Sequence, residues 1–231
     1  MSVGTGISNQ ITNMNKAAKT LFNLYKSCNE SGTSFVLVLS KYLMFKIIGN
    51  NILAHHNTKI VGIKNIETHD LVRIGLDTVG FGHGTDLTFL NIRGKLKFAG
   101  KYLISRGCRF DIGPHALVRI GKGGYVSCNT KFIIMHRLTI GSACAIAWNC
   151  QFLDEDFHSL EYDGKNKSDD NTITIGNHVW IGSNTTIYKG VIIPDECVVA
   201  ANSVVKGQFE EKNVLIAGNP AKIIKRNVIW S

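Results

Sequence analysis

The sequence predicts an all-β chain wound as a parallel β-helix of short strands, with a small N-terminal cap and a short C-terminal tail. Three observations carry this prediction. Ile175, Ile181, Ile187, Ile193, Val199 and Val205 fall six apart without a slip. A second inward row, Ile173, Val179, Thr185, Val191, Cys197 and Ser203, runs two positions ahead of the first. Glycine follows the aliphatic residue at Gly176 and Gly182, where a turn would fall. An α-helix cannot keep positions six apart on one face. A short parallel strand followed by a tight turn, repeated, stacks every sixth residue in one column.

Taken in order, residues 1–69 form the cap. Their start, MSVGTGISNQITNMNK, is polar and shows no cleavable leader pattern. The run SFVLVLSKYLMFKIIG is apolar but carries Lys41 and Lys46, and is too short and interrupted to span a bilayer. It reads as a packed helix or strand, or as an amphipathic element touching a membrane. The β-helix occupies residues 70–208. Ile140, Ile146 and Phe152 repeat the six-residue step, and TIGSACAIAWNCQF parallels TIGNHVWIGSNTTI. Ile112 with Val118, Ile120 with Val126 and Phe132, and Ile104 with Phe110 extend it upstream with small register shifts. At FLDEDFHSLEYDGKNKSDD the order breaks into charge, giving a loop insertion at 159–172 before the column resumes. Residues 209–231 form the tail.

Composition is that of a globular chain of 231 residues, 44% hydrophobic, with 23 glycines against 3 prolines. The apolar content is too high for an unfolded chain, so the glycines mark turns. A net charge of +9 favours anionic partners, phosphates, nucleotides, acidic sugars or an anionic membrane surface among them. Nucleic acid is not expected, because the cations are scattered and no recognised binding signature occurs. Six cysteines, Cys28, Cys108, Cys128, Cys144, Cys150 and Cys197, form no CxxC pair, and several take small inward positions of the repeat. They read as buried, reduced thiols of a cytoplasmic protein rather than disulfides or metal ligands.

The hexapeptide run, the Asp154-x-Asp156-x-His158 element and the segment IAGNPAKIIKRNVIW together resemble the hexapeptide-repeat acyltransferases. The likeness spans about residues 70–229. Within that family it is nearest the sugar O-acetyltransferases of bacterial capsule, lipopolysaccharide and exopolysaccharide pathways. The resemblance implies a left-handed winding, an acetyl-CoA donor, no metal, and a homotrimer with sites between neighbouring prisms. Its acceptor would be a sugar, free, nucleotide-linked or lipid-linked, met in the cytoplasm or at the inner face of a membrane.

Acetyl transfer to a hydroxyl needs a base, and a largely neutral imidazole suits that role. His158 matches the family's catalytic histidine, with Asp156 or Asp154 placed to orient it. One of these aspartates could instead meet the acceptor; Asp156 is taken as catalytic and Asp154 as acceptor-binding. Asn129, Trp148 and Asn149 are further acceptor candidates, although each also suits a coil corner. Trp180, Ser183 and Ala201 match positions lining the family's coenzyme A groove, and Lys206, Lys222 and Lys225 suit its phosphates. In the insertion, Glu161, Tyr162, Asp163, Lys165 and Lys167 suit sugar hydroxyls and ordinary solvation alike. Other readings stay open: N-acetylation of a nucleotide-linked amino sugar, a metal-dependent hydratase of the γ-carbonic anhydrase kind, and a non-catalytic β-helix scaffold. The eight histidines offer no H-x4-H pair for the metal reading.

Overall fold

The computed structural model describes residues 18–76, 80, 82–83, 85–158, 161–162, 165–166 and 171–231. The predicted column is the interior of the molecule. All twelve residues of the two rows between Ile173 and Val205 are buried, none more than 1% exposed. Their upstream counterparts, from Ile104 through Phe152, are buried with them. Strands of two to five residues stack into three sheets of nine, seven and six strands, parallel throughout except for the last strand of the nine-stranded sheet.

Face I is entered at Ile52–Ala54 and runs through Tyr102–Ile104, Gly124–Val126, Ala145–Ile146, Trp180–Ile181 and Val198–Val199 to Leu215–Gly218. Face II runs from Thr58–Val61 through Arg109–Ile112, Lys131–Ile134 and Gln151–Leu153 to Val204–Val205. Face III runs from Ile66–Thr68 through Arg137–Ile140 and Thr172–Ile175 to Ile192–Ile193. The chain visits I, II and III in turn, so each residue pairs with its equivalent one coil later. Ile175 pairs with Ile193, Ile181 with Val199 and Ile187 with Val205. Stacking satisfies the strand hydrogen bonds between coils and buries one continuous aliphatic core. Within face II, the inward Phe110, Phe132 and Phe152 rings stack at centroid spacings of 4.4 and 4.7 Å.

The first coil begins at Ile52, earlier than the boundary at residue 70 that the fading period suggested. The early coils differ in length, since Ile52 pairs with Val72 but Val72 with Tyr102. Buried threonines, Thr58 and Thr88, also stand in this first part of the prism. The apolar run upstream is a packed helix. Helix α1 covers residues 18–30 and α2 covers Phe35–Ile47. Ser34 caps α2 by accepting from the Leu37 amide at 3.5 Å, and Val38 and Phe45 bury its inner face. Lys41 Nζ donates to the His56 and Thr58 carbonyls at 2.8 and 3.0 Å, and Arg106 ties Ser31 and Gly75 together through their carbonyls. The opposite face of α2, with Val36, Leu43 and Ile47, is exposed. No helix among the described residues is long and apolar enough to cross a membrane.

The far end is closed by a hairpin. Ala221–Lys225 pairs antiparallel with Leu215–Gly218, which itself continues face I. The insertion leaves after face II and returns at Thr172. Within it Glu161–Tyr162 pairs with Lys165–Asn166; residues 159–160, 163–164 and 167–170, like residues 1–17, lie outside the described residues. All six cysteines are free and buried. Burial pushes the Cys108 thiol up to about 12 and those of Cys144 and Cys150 to about 11.

Candidate active site

Two places on the prism carry the residues singled out in the sequence. The first is a cleft of about 580 Å³ on the outer surface of face I and its corner with face II. Trp148, Trp180, Ser183 and Ala201 all line it. They meet there because Ala145 pairs with Trp180 and Trp180 with Val198, so Trp180 lies on a face I strand while Trp148, Ser183 and Ala201 fall at equivalent places just after successive strands. Trp148, expected beside an acceptor, thus shares a wall with the residues expected beside coenzyme A. Gly182 lines the cleft where coils approach closely; a Cβ there would lie 2.5 Å from the Ala201 nitrogen. The lining is rich in alanine, valine and tryptophan with a few hydroxyls, Ser127 and Tyr125 among them. Such a mixture suits a thin ligand of alternating methylene and amide groups.

The period could not reveal Trp230. It comes from the tail, which folds back over face I into the same cleft. Its ring stacks on His178 at 4.1 Å, and its Nε1 donates to the His178 carbonyl at 3.0 Å. His178 Nδ1 in turn meets Glu196 at 2.6 Å. The only sequence signal for Trp230 is its place in the tail segment that carried the family resemblance.

The second place is the corner between faces II and III, where the chain passes from Leu153 into the insertion. His158 stands there with an exposed side chain. Asp156 Oδ2 is held by Lys189 Nζ at 2.9 Å, and among the described residues no hydrogen bond joins Asp156 to His158. Asp154 departs from its expected acceptor role. It is fully buried, Oδ1 accepting from the Met135 amide at 2.6 Å and Oδ2 from His136 and Arg137 at 2.8 and 3.0 Å. Burial raises its pKa while the three amides pull the other way. Glu155 takes the outward position that alternation denies Asp154, accepting from His136 Nε2 at 2.7 Å, which holds its carboxyl below the usual range.

Asn129 and Asn149 have a corner role that accounts for their identity. They sit at successive turns between faces I and II with φ of 61° and 58°, and Asn184 and Asn202 repeat the geometry at 58° each. Asparagine tolerates this left-handed region better than other side-chain-bearing residues. Each turn amide bonds back to the coil before, Asn129 to Arg106 and Asn149 to Cys128. Lys206, Lys222 and Lys225 are exposed but do not line the cleft; Lys206 sits 5.0 Å over the Tyr188 ring. Among the described residues no three histidine, cysteine or acidic side chains gather as a metal site.

A prism of stacked hexapeptide coils is the architecture of a class, the hexapeptide-repeat acetyltransferases. A family model described as the hexapeptide repeat of succinyl-transferase matches residues 172–206. An uncharacterized 24.8 kDa protein in the cps region of Klebsiella pneumoniae is 39% identical over 219 residues, covering 94% of this chain and 98% of that one. A putative lipopolysaccharide biosynthesis O-acetyl transferase of Escherichia coli K12 is 30% identical over 143 residues, covering 58% of this chain and 72% of that one. A galactoside acetyltransferase solved in complex with coenzyme A is 29% identical, covering 56% of this chain and 66% of that one, with a TM-score of 0.46. The chain belongs to the hexapeptide-repeat acetyltransferase family.

Proposed function

We propose that the protein is an acetyl-CoA-dependent O-acetyltransferase acting on a sugar hydroxyl in bacterial surface-polysaccharide biosynthesis. The observation that supports this best is the face I cleft, in which Trp148, Trp180, Ser183 and Ala201 converge around space for a pantetheine arm. His158 acts as general base. Its imidazole takes the hydroxyl proton as the sugar oxygen attacks the thioester carbonyl. The tetrahedral oxyanion then collapses, the C–S bond breaks, and the imidazolium returns the proton to the coenzyme A thiolate. No covalent enzyme intermediate is needed. Acetyl-CoA places the reaction in the cytoplasm, and the buried, reduced thiols suit that compartment.

His158 stands at the II/III corner and does not line the face I cleft. A complete site therefore needs the corner of one prism against the face of another, as in the left-handed trimers that the family resemblance implies. Replacing His158 with alanine should lower turnover by about 10²–10⁴-fold while coenzyme A binding and thermal stability stay near wild type. Turnover within a few-fold of wild type would remove His158 from the mechanism. Base treatment of the product separates the readings, since an ester is lost under mild alkali and an amide is not.

A further inference from the structure

The outer surface of face II carries a row that acetyl transfer by His158 and the face I cleft leaves unused. Lys59, Phe89, Arg109 and Lys131 stand in register on successive strands. Lys59 Nζ lies 5.8 Å over the Phe89 ring. Arg109 and Lys131 are direct cross-strand neighbours, both exposed, and among the described residues neither side chain has an ion pair or hydrogen bond. Like charges directly opposed on paired strands destabilise a sheet.

The row borders a shallow cleft of about 220 Å³ lined by Phe89, Asn91, Arg109, Asp111, Lys131 and Ile133. Its one carboxylate is already neutralised, because Asp111 Oδ1 accepts from Arg93 Nη2 and from Asn91 Nδ2, each at 3.0 Å. The cleft thus offers an aromatic ring, a planar guanidinium fork, an ammonium and an amide. An aromatic face packs against the C–H side of a sugar ring, and the guanidinium pairs with a carboxylate in two parallel hydrogen bonds. Ile133 pairs with Leu153, from which the chain continues through Asp154 to His158. Arg109 lies two strands from Leu153, roughly 10 Å along the sheet, so this surface leads to the corner that carries the base.

We propose that face II binds a carboxylated sugar unit, and that the acceptor is an acidic glycan laid across this face. The proposal names the substrate class of the acetyl transfer above and rests on that reading. Its binding step can be tested without turnover. Full-length His158→Ala protein is titrated calorimetrically, with no acetyl-CoA, with oligogalacturonate, with neutral maltohexaose and with UDP-glucose. Oligogalacturonate should bind at least about tenfold more tightly than maltohexaose, and added salt should weaken it. Adding Arg109→Gln and Lys131→Gln should weaken the acidic oligosaccharide by about tenfold or more, while Lys64→Gln with Lys122→Gln, removing the same charge elsewhere, should change it less than about twofold. Single substitutions at Arg109 or Lys131 give the same reading if the double variant melts early. Equal affinity for the acidic and neutral oligosaccharides, or no loss in the face II variants, overturns the proposal. Preference for UDP-glucose overturns it too, assigning the cations to a nucleotide diphosphate. Failure of acetyl transfer itself would appear separately, as absent turnover by the unmodified protein.

Discussion

Asp154 shows how one residue of a motif can be taken up by the fold. Three backbone amides, from Met135, His136 and Arg137, converge on its two oxygens in a fully buried site. They belong to the turn one coil earlier, so the carboxylate pins the start of the insertion to the prism beneath it. An asparagine of the same shape would keep one acceptor oxygen and turn an NH2 group toward a donor. Asp154→Asn should therefore lower unfolding stability by about 2 kcal/mol, the cost of a buried donor left without an acceptor. A chemical denaturation midpoint equal to wild type would show that the amides do not depend on the carboxylate. Alternation along Phe152 to Asp156 already separates an inward Asp154 from an outward Glu155, but its partners lie too far back in the chain to be read from spacing. Asn129 and Asn149 were ambiguous for a related reason. The same amide that could meet a sugar is also the side chain that tolerates a positive φ, and the backbone decides between them.

At the scale of elements, the helical pair is fastened to the first coil through a buried histidine. His55 Nδ1 accepts from the Asn57 amide at 3.0 Å and Nε2 faces the Ser31 carbonyl at 3.3 Å, an arrangement for the neutral ring with its proton on Nε2. Burial, then the charges of His56 and Arg106, lowers its pKa to about 4. An unfolded chain would bind this proton near pH 6.5. As pH falls below that value the unfolded state gains a proton that the folded state refuses. His55 thus stabilises the fold fully above about pH 6.5, and up to roughly 3 kcal/mol is lost as pH falls to about 4. Denaturation curves between those limits should be steeper in pH for wild type than for His55→Gln; parallel curves would refute the assignment. This part of the fold was also the least legible in sequence. The strict column from Ile173 to Val205 marks coils of constant length, whereas the coils after Ile52 differ in length and include buried Thr58 and Thr88. The cleft stood in between. Trp148, Trp180, Ser183 and Ala201 repeat with the coils and could be found, but Trp230 arrives by a tail that obeys no period.

At the scale of the whole molecule, the two halves of the proposed chemistry sit on different sides of one prism. The cleft opens on face I, and His158 projects where face II gives way to the insertion toward face III. A coil is a closed triangle with a packed core, so no side-chain rearrangement can bring these sides together within one copy. A cyclic trimer of the kind the family resemblance implies would do so by setting each corner against the next subunit's face. This arrangement predicts complementation. His158→Ala removes the base and leaves the cleft intact, while Ala201→Trp fills the cleft and leaves the base. Each variant alone should be inactive as purified protein. In trimers formed by co-expressing the two, every mixed trimer has one junction that combines an intact His158 with an intact cleft. Random mixing would then restore roughly a quarter of wild-type sites, read as acetyl-CoA consumption in the presence of acceptor. If base and donor were instead held by a single chain, each subunit would carry one defect and the mixture would stay as inactive as its parents. Recovery well below that fraction, with mixed trimers confirmed by native mass spectrometry, would place the base and the donor on the same copy and overturn the shared site.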